Sequence, residues 1–288
     1  MADNNTPTVN YASKFSPLVN EAFSLASLTH GLFNNNYDFE GVNSVNIYSI
    51  PTAALGNYTA TGTNRYGTPD ELTNEVQTLT MTQDKAFTFT IDRKSEQDTL
   101  GVMQAASALA REVREVVIPT LDQYRLATIV GAAPQGHTIT VAVTSSNAYS
   151  EFLDAQEILD EAKAPTGGRI ALVTPKYYNL IKKDDSFTKR GDEATKISLN
   201  GYVGTIDGVP VVKIPASYFP ANVDFVITNP IAAIAPVKLQ DYKIHVDPPG
   251  VNGYLIEGRI RHDCFALNKK KDAIVVHKHP AAQQSNPG

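Results

Sequence analysis

Apolar and polar positions follow two different periodicities along this chain, and each periodicity predicts a different secondary-structure element. Phe87, Phe89 and Ile91 alternate with polar residues, which is typical of a strand with one buried face. From Leu100 to Val130 the apolar positions recur every three or four residues, which indicates an amphipathic helix. Such a helix would span on the order of 45 Å. We therefore expect it to be the central helix against which the rest of the fold is organised.

The predicted buried face of the long helix is one stripe of apolar and aromatic residues: Met103, Ala106, Ala110, Val113, Val117, Leu121 and Tyr124. Pro119 interrupts this pattern. Proline has no amide N–H to donate, and it disfavours helical geometry at the residue before it. We therefore expect a bend or a break between Val116 and Ile118.

Further patterns predict strands and shorter helices on both sides of the long helix. Thr174-Pro175 predicts the start of a short helix, and Asp207-Gly208 predicts the turn of a hairpin. A second amphipathic helix, capped within 145–147, has this apolar face: Phe152, Ala155, Leu159 and Ala162. The predicted strands are 45–50, 76–82, 137–143, 170–173, 209–214, 225–228, 237–246, 254–267 and 273–277. Together these elements indicate an α+β fold.

Two segments carry apolar or aromatic residues without the pattern of a core. Residues 1–40 are rich in Asn, Ser and Thr, yet they contain Phe15 and Phe23, so we expect an arm that docks on something. A short helix is predicted in the arm near Leu18 to Leu28. Residues 51–75 are rich in Gly and Thr and lie between two predicted strands. Loops this long are usually functional, so a loop that binds a partner is favoured over a flexible hairpin without a role.

Composition narrows the classes of protein. A chain of 288 residues, 19% of them charged, can bury the core of one large domain or two subdomains. The net charge of −5 gives no basic surface for gripping nucleic acid tightly. One cysteine, Cys264, excludes an internal disulfide framework and suits a reducing compartment. We expect no signal peptide and no membrane partner, because no apolar run approaches the ~20 residues of a membrane span.

Candidate chemistry is sparse. Gly201, Gly204 and Gly208 resemble a phosphate-binding loop only superficially, because a Val-rich strand follows instead of a helix N-terminus. His262 and Cys264 lie two apart in a predicted buried strand, with Asp263 expected on its opposite face. This placement favours an inert core cysteine over a nucleophile.

Two further groups contain side chains that could bind a ligand. His277 and His279 are two apart, but a metal would need at least one more ligand, for example His262, and nothing in the sequence brings it there. Lys269-Lys270-Lys271 is interpreted as a solvated turn, with a weak phosphate contact as the minor alternative. We therefore expect no catalytic residues, no metal and no cofactor.

Two separated motifs carry a resemblance to a known family. The first is Asp92-Arg93 after a Phe-Thr-Phe-Thr-Ile strand, then Asp98-Thr99, then Val117-Ile118-Pro119-Thr120-Leu121-Asp122-Gln123-Tyr124-Arg125. The second is Asn200-Gly201-Tyr202-Val203-Gly204 with Asp207-Gly208-Val209-Pro210-Val211-Val212. Together they resemble the major capsid proteins of tailed bacteriophages and prophages, over roughly residues 10–279.

The resemblance implies the tailed-phage major capsid fold, with an N-terminal arm, an extended β-hairpin loop, a peripheral domain with a long spine helix, and an axial domain. The arm would be 1–40 and the extended loop 52–82. The peripheral domain would comprise 41–51, 83–144 and the return strands 238–279, with the axial domain at 145–237 and a disordered tail at 280–288. The arm begins almost at Met1, so either processing has already happened or scaffolding is separate.

The same resemblance implies a function. The chain would self-assemble through hexamers and pentamers into an icosahedral virion head around non-specifically held double-stranded DNA, in the bacterial cytoplasm. Portal, scaffolding and decoration proteins are further candidate partners. The candidate contact residues between subunits are Phe15, Phe23, Tyr58, Arg65, Tyr66 and Glu71. Two alternatives stay open: a prokaryotic nanocompartment shell protein enclosing enzymes, and a soluble hydrolase or ligand-binding protein.

Overall fold

The computed structural model describes residues 27–34, 44–50, 52–69, 71, 73–98, 104–184, 186 and 201–280. The helices are α1 (Arg93–Asp98), α2 (Ala105–Glu112), a π-helical segment (Val113–Val117), α3 (Ile118–Ala132), α4 (Ala148–Glu161) and α5 (Pro175–Lys183). Short 3₁₀ turns lie at Ala216–Tyr218, Pro230–Ala232 and Lys271–Ala273.

The strands form four sheets. In chain order they are β1 (Ser44–Ser49), β2 (Glu75–Thr80), β3 (Gln83–Asp92), β4 (Thr138–Thr140), β5 (Ile170–Val173), β6 (Tyr202–Ile206), β7 (Val209–Lys213), β8 (Val223–Thr228), β9 (Ala233–Ile234), β10 (Val237–Val246), β11 (Gly253–His262), β12 (Phe265–Ala266) and β13 (Ile274–Lys278). The largest sheet has the order β4-β13-β8-β5-β7-β6, and a second has the order β10-β11-β3. Two small sheets pair β1 with β2 and β9 with β12.

The six-stranded sheet is covered on both faces, as the uninterrupted apolar sequence of its central strands requires. Every residue of β5 and β8 is buried. On one face, residues such as Leu172 and Val226 pack against Leu126 and Ile129 of α3. On the opposite face, the neighbouring positions pack against α4 and α5. Helix α3 therefore lies under one side of the sheet, and α4 and α5 lie on the other.

The three-stranded sheet has one buried face, and β3 has the alternation that its sequence predicts. Phe87, Phe89 and Ile91 face the helices, while the residues between them are exposed. They pack with Tyr242 and Ile256 of the neighbouring strands onto α2, the π-helical segment and the start of α3. Continuous helix from Ala105 to Ala132 thus joins the cores of both large sheets.

The buried stripe of this helix differs from the predicted one. Ala106 and Ala110 are exposed, and Ala105 and Leu109 take their place in the core. Leu109 is the larger apolar group, so burying its face removes more apolar surface from water. The later predicted positions Val113, Val117 and Leu121 are buried, as expected. Tyr124 is only partly buried, and Met103 lies outside the described residues.

The helix departs from α-helical geometry just before Pro119. Val113–Val117 is π-helical, with i→i+5 hydrogen bonding in place of the usual pattern. This segment is the interruption that proline was expected to cause. Of the expected bend or break, the break is absent, because Ile118 keeps right-handed helical angles, with φ −60° and ψ −50°, and the bend stays a prediction. Ile118 N donates to the Val113 carbonyl five residues back, and this wider turn carries the helix up to Pro119, which has no N–H to donate.

Most predicted strands and turns are confirmed. Thr174 caps α5 by accepting a hydrogen bond from Tyr177 N, and Asp207-Gly208 joins β6 to β7. Asn147 precedes α4 but caps nothing with its side chain, since its Oδ1 accepts from Thr144 N instead. The predicted strand 254–267 is two strands, because the Asp263 side chain engages its neighbouring backbone between β11 and β12.

Strand pairing crosses the predicted domain boundaries. β13 pairs in parallel with β4 and antiparallel with β8, so both belong to the sheet that holds β5 to β7. Boundaries at residues 144 and 238 therefore cut through one continuous sheet. The helix near 18–28 lies largely outside the described residues, and the tail 281–288 and most of the predicted solvated loop 182–196 also lie outside them. Among the described helices, none has the length and apolar character needed to cross a bilayer.

Gly253 provides a test of the β10–β11 turn. Its φ is 142°, and a Cβ there would overlap the Ile91 carbonyl oxygen and lie 2.9 Å from Arg93 N. We expect Gly253→Ala to lower the free energy of unfolding by about 2–4 kcal/mol, from backbone strain and the clash together. Gly250→Ala is the matched control, because it shares a positive φ in the same turn but has open space. Equal denaturant midpoints for the two variants would contradict the clash.

Candidate intersubunit surface

A two-stranded ribbon, β1 with β2, carries the long loop away from the body of the subunit. Their antiparallel register runs from Ser44 opposite Thr80 to Ser49 opposite Glu75. The base of the ribbon is anchored by a small core that contains Leu79 and Met81. Lys269 Nζ lies 2.7 Å from Glu75 Oε2, so one lysine of the predicted solvated turn fastens the ribbon.

The loop beyond the ribbon has no core of its own. Every described residue from 52 to 69 is exposed. Leu55 is fully exposed, and the exposed fractions of Tyr58 and Tyr66 are 56% and 89%. Large apolar side chains exposed close together in one segment are typical of interaction surfaces. The loop is therefore a candidate contact segment.

Local hydrogen bonds nevertheless give the loop tip a defined shape. Thr59 N donates to the Arg65 carbonyl at 3.0 Å, and Arg65 Nε donates to the Gly62 carbonyl at 3.2 Å. These bonds bring the rings of Tyr58 and Tyr66 together edge to face, with centroids 5.1 Å apart. An aromatic pair on a preformed turn loses little conformational entropy when a partner covers it.

The structure brings together three of the predicted contact residues. Tyr58, Arg65 and Tyr66 share the loop tip, and Glu71 is exposed further along the same loop. Phe15 and Phe23 lie outside the described residues. The role of all six in contacts between subunits stays a prediction.

The described end of the predicted arm, residues 27–34, docks on helix α3 through a buried carboxylate. Asp122 Oδ1 accepts from Ser27 Oγ at 2.7 Å and from Thr29 Oγ1 at 2.5 Å. Asp122 Oδ2 accepts from the backbone N–H of Leu28 at 2.8 Å. Arg125 Nη1 donates to Thr29 Oγ1 at 3.1 Å and lies 3.9 Å from Asp122. Both charges are buried, so each depends on the other and on the docked segment.

Apolar contacts complete this docking. Leu32 and Phe33 are buried in the core between α3 and the six-stranded sheet. The Arg125 guanidinium lies 5.6 Å from the centroid of the Phe33 ring, and Asn34 N donates to the Ala233 carbonyl. The expectation that apolar residues of the arm dock on something is confirmed for this stretch.

Sequence reasoning gave Asp122 and Arg125 no role, although both lie in the first motif. A signal was available in their placement. They are charged residues three positions apart on a helix face that otherwise contains Leu121, Leu126 and Ile129. Charged groups at such positions are buried only with partners, which points to a docked polar segment.

A second buried carboxylate, Asp263, joins the ribbon to the body. Its Oδ2 accepts from Thr82 N at 2.7 Å, and its Oδ1 accepts from the Tyr124 hydroxyl at 2.7 Å. Burial, together with the hydrogen bond to this carboxylate, raises the pKa of Tyr124 to about 12. The phenol therefore stays protonated and keeps donating. Asp263 thus links the end of the ribbon to helix α3.

The candidate catalytic residues His262 and Cys264 lie beside Asp263 at the same junction. Cys264 is buried as expected, and burial raises the pKa of its thiol to about 12, so the reactive thiolate is suppressed. Asp263 was expected on the opposite strand face, but all three residues from His262 to Cys264 are buried where β11 ends. Burial, with the charge of Arg125 as a second cause, lowers the pKa of His262 to about 4.

Of the three candidate metal-binding histidines, His277 and His279 both contact Asp224, whereas His262 lies apart from them at the end of β11. His277 lies inside the sheet core, with Nδ1 3.3 Å from Asp224 and Nε2 3.5 Å from Glu151, and its ring stacks on Phe225. His279 instead contacts the other oxygen of Asp224. Within the described ranges, no group of three or more His, Cys, Asp or Glu side chains is arranged for a metal ion. Gly201 precedes β6, and Gly208 lies in the turn between β6 and β7.

Removing the charge of Asp122 tests the docking of the arm segment. We expect Asp122→Asn to lower the free energy of unfolding by about 2–3 kcal/mol, because its three hydrogen bonds from residues 27–29 lose a charged acceptor and Arg125 loses a nearby opposite charge. Amide exchange at Leu28 should accelerate as its acceptor is lost. Asp154→Asn, an exposed carboxylate on α4, is the control and should change neither quantity. Unchanged unfolding with full protection at Leu28 would disprove the anchoring role.

The depressed pKa of His262 predicts a pH dependence of stability. Between pH 6.5 and about 4 the unfolded chain takes up a proton that the folded chain does not, so the folded state loses stability as pH falls. We expect a loss of about 2–3 kcal/mol over this range. His262→Leu should lack this component in chemical denaturation, whereas His30→Asn, at an exposed site, should keep it. Parallel pH profiles for wild type and His262→Leu would refute it.

Comparison with known proteins supplies the fold. No family model matches the chain, and no curated protein matches it. Among solved structures, a chain from Mycobacterium phage Che8 has 18% identity and a TM-score of 0.63, covering 86% of this chain and 89% of that chain. The capsid structure of cyanophage P-SCSP1u has 14% identity and a TM-score of 0.65, and the match covers 83% of this chain and 84% of that chain. The mature capsid of bacteriophage PhiM1 has 15% identity and a TM-score of 0.61, and the match covers 86% of this chain and 88% of that chain. The chain therefore has the tailed-phage major capsid fold.

Proposed function

We propose that this chain is a major capsid protein, which self-assembles through hexamers and pentamers into an icosahedral virion head around double-stranded DNA. The observation that carries the proposal is the extended ribbon and loop, which has exposed aromatic residues and no core. A subunit with the capsid fold and such a segment is suited to hold its neighbours. We propose no catalytic role.

The loop tip supports a strapping role through its chemistry. Tyr58 and Tyr66 offer large, rigid contact area, and Arg65 beside them adds donors that suit a partner carboxylate or carbonyl. Rotational symmetry repeats the same contact around every ring, so a modest contact per subunit yields a stable shell. Glu71, Phe15 and Phe23 are proposed as further contact residues.

The proposed division of labour uses the predicted domains with one change. The arm is 1–40, the extended loop is 52–82, and the peripheral domain contains α2, α3 and the three-stranded sheet. The axial domain is 145–237, to which we add β4 and β13, because they hydrogen-bond within its sheet. The net charge of −5 suits a container that holds packed DNA non-specifically and loosely. Assembly in the host cytoplasm and contacts with portal, scaffolding and decoration proteins belong to the same proposal.

Electron microscopy of the purified protein tests the function directly. We expect closed shells, and shells from infected or induced cells should contain DNA. Shells filled with protein cargo would favour the nanocompartment, and persistent monomers would favour a soluble enzyme or binding protein.

Deleting residues 56–71 tests the loop. The segment supplies no core, so the variant should remain folded and soluble by circular dichroism, yet form no stable shells in size-exclusion chromatography and microscopy. The paired substitution Tyr58→Ala with Tyr66→Ala should weaken assembly in the same direction. Thr61→Ala, at an exposed position of the same loop, is the control and should assemble normally. Normal particles from the deletion variant would show that the loop is not a strap.

A further inference from the structure

A buried histidine lies between two buried carboxylates where helix α4 meets the six-stranded sheet. His277 of β13 is fully buried, Asp224 of β8 is 5% exposed, and Glu151 of α4 is 9% exposed. An oxygen of Asp224 lies 3.3 Å from Nδ1 of the ring, and an oxygen of Glu151 lies 3.5 Å from Nε2. We call these three residues the histidine cluster. It joins the first turn of α4 to two strands of the sheet.

The two carboxylates of the histidine cluster have no lysine or arginine to balance them. Within the described residues, their ion-pair partners are histidines alone. His279 lies 3.2 Å from the second oxygen of Asp224, at the rim of the cluster, where its side chain is 38% exposed. Asn147 Nδ2 donates to Glu151 Oε1 but carries no charge. Because a buried carboxylate is strongly unfavourable without a nearby positive charge, His277 is the central group that can supply it.

A neutral imidazole ring does not suit the position of His277. It has one N–H and one bare lone pair, whereas both of its nitrogens here face carboxylate oxygens. One carboxylate would therefore lie against a lone pair. Neither nitrogen has a hydrogen bond to another group in the described part of the chain, so the charges of the two carboxylates dominate its surroundings. An imidazolium presents an N–H and positive charge to both sides.

The other described elements around His277 bring no positive charge that competes with an imidazolium. Phe225 of β8 stacks on the ring, with centroids 4.8 Å apart, and Ile139 of β4 is its register partner. On α5, the Tyr177 ring lies 6.4 Å away, and burial raises the pKa of this phenol well above its usual value, so it stays neutral. Asp184, at the end of α5, is a further buried carboxylate that accepts hydrogen bonds from backbone N–H groups.

We propose that His277 is held as an imidazolium between Glu151 and Asp224, and that the histidine cluster is a pH-sensitive lock between α4 and the sheet. With the proton in place, both carboxylates are balanced and the first turn of α4 is tied to β8 and β13. When His277 loses the proton, two buried carboxylates remain without their cation. Moving the start of α4 outward then hydrates Glu151, which lines a surface groove between α4 and β4. Rising pH therefore opens this end of the helix.

The direction of this pH dependence is opposite to that of His262. Between the pH at which an exposed histidine titrates and the pH at which His277 does, the closed state holds one proton more than the opened state. The closed state therefore loses stability as pH rises, by up to about tenfold per pH unit in the opening equilibrium. The lock belongs to the folded subunit, so its test does not depend on shell formation.

Nuclear magnetic resonance of the histidine rings tests the charge directly in the wild-type protein. At a pH where the exposed His30 has lost its proton, both ring nitrogens of His277 should keep theirs and show the ¹⁵N shifts of an imidazolium. The ring is assigned by its absence in His277→Gln or, if that variant does not fold, by its contact with Phe225. A His277 ring that is neutral wherever His30 is neutral overturns the proposal.

Amide hydrogen exchange measures the opening of α4. Over the same pH range, the protection factors of the first-turn amides of α4, each relative to the unfolded chain at that pH, should fall by up to about tenfold per pH unit. Amides of β11, which lies in another sheet, should keep their protection. Constant protection in α4, or an equal loss in β11, contradicts a local lock.

Neutralising the carboxylates separates the lock from ordinary packing. The double variant Glu151→Gln with Asp224→Asn keeps the side-chain shapes but needs no cation, so protection of its α4 should no longer fall as pH rises. The matched control is His245→Gln, because His245 also lies beside a glutamate, Glu257, at 3.1 Å but on an exposed strand face. This control should open like wild type. The inference is overturned if the double variant folds and still opens with pH, or if the control loses the dependence. If the double variant does not fold, the ring titration of the wild type decides.

Discussion

A buried carboxylate on helix α3 is the interaction on which the arrangement of this subunit depends. Asp122 receives three hydrogen bonds from residues 27–29 while it lies beside Arg125, with neither charge reaching water. Isolated, either ion would be strongly unfavourable in that core. Together with the docked segment they are satisfied, and Leu32 and Phe33 can then fill the core between helix and sheet. The start of the chain is thereby built into the same core as the helix.

The elements that sequence analysis predicted well are those that local chemistry decides. Asp207-Gly208 makes its hairpin because the turn requires positive φ at both residues. Thr174-Pro175 starts its helix because one side chain caps and one ring presets φ. The buried face of the long helix was predicted wrongly at its start, because the alanines there make two faces of the helix nearly equally apolar. Pairing of β13 with β4 was missed, because their sequence separation leaves no local trace of a shared sheet.

In the candidate intersubunit surface, too, local features were predictable from the sequence and long-range contacts were not. An unusually long polar loop between two strands was visible in the sequence, and Tyr58, Arg65 and Tyr66 do share its tip. What could not be read was which buried charges hold the arm and the ribbon. Asp122 and Asp263 act through partners 94 and 181 residues away, such as Leu28 and Thr82. A charged residue in an apolar face signals that a partner exists, but not its identity.

The π-helical segment adjusts the helix to two different sheets. Leu109, Val113 and Ile118 share one cluster although the last step spans five residues, which is the spacing that i→i+5 geometry aligns. The π-helical segment contains one residue more than the α-helical turn that would replace it. Losing that residue would restore a regular helix but rotate everything beyond it by about 100°. Asp122 and Arg125 would then point away from residues 27–34. The number of residues in this helix therefore fixes how α3 is rotated relative to α2, and it is as constrained as the sequence itself.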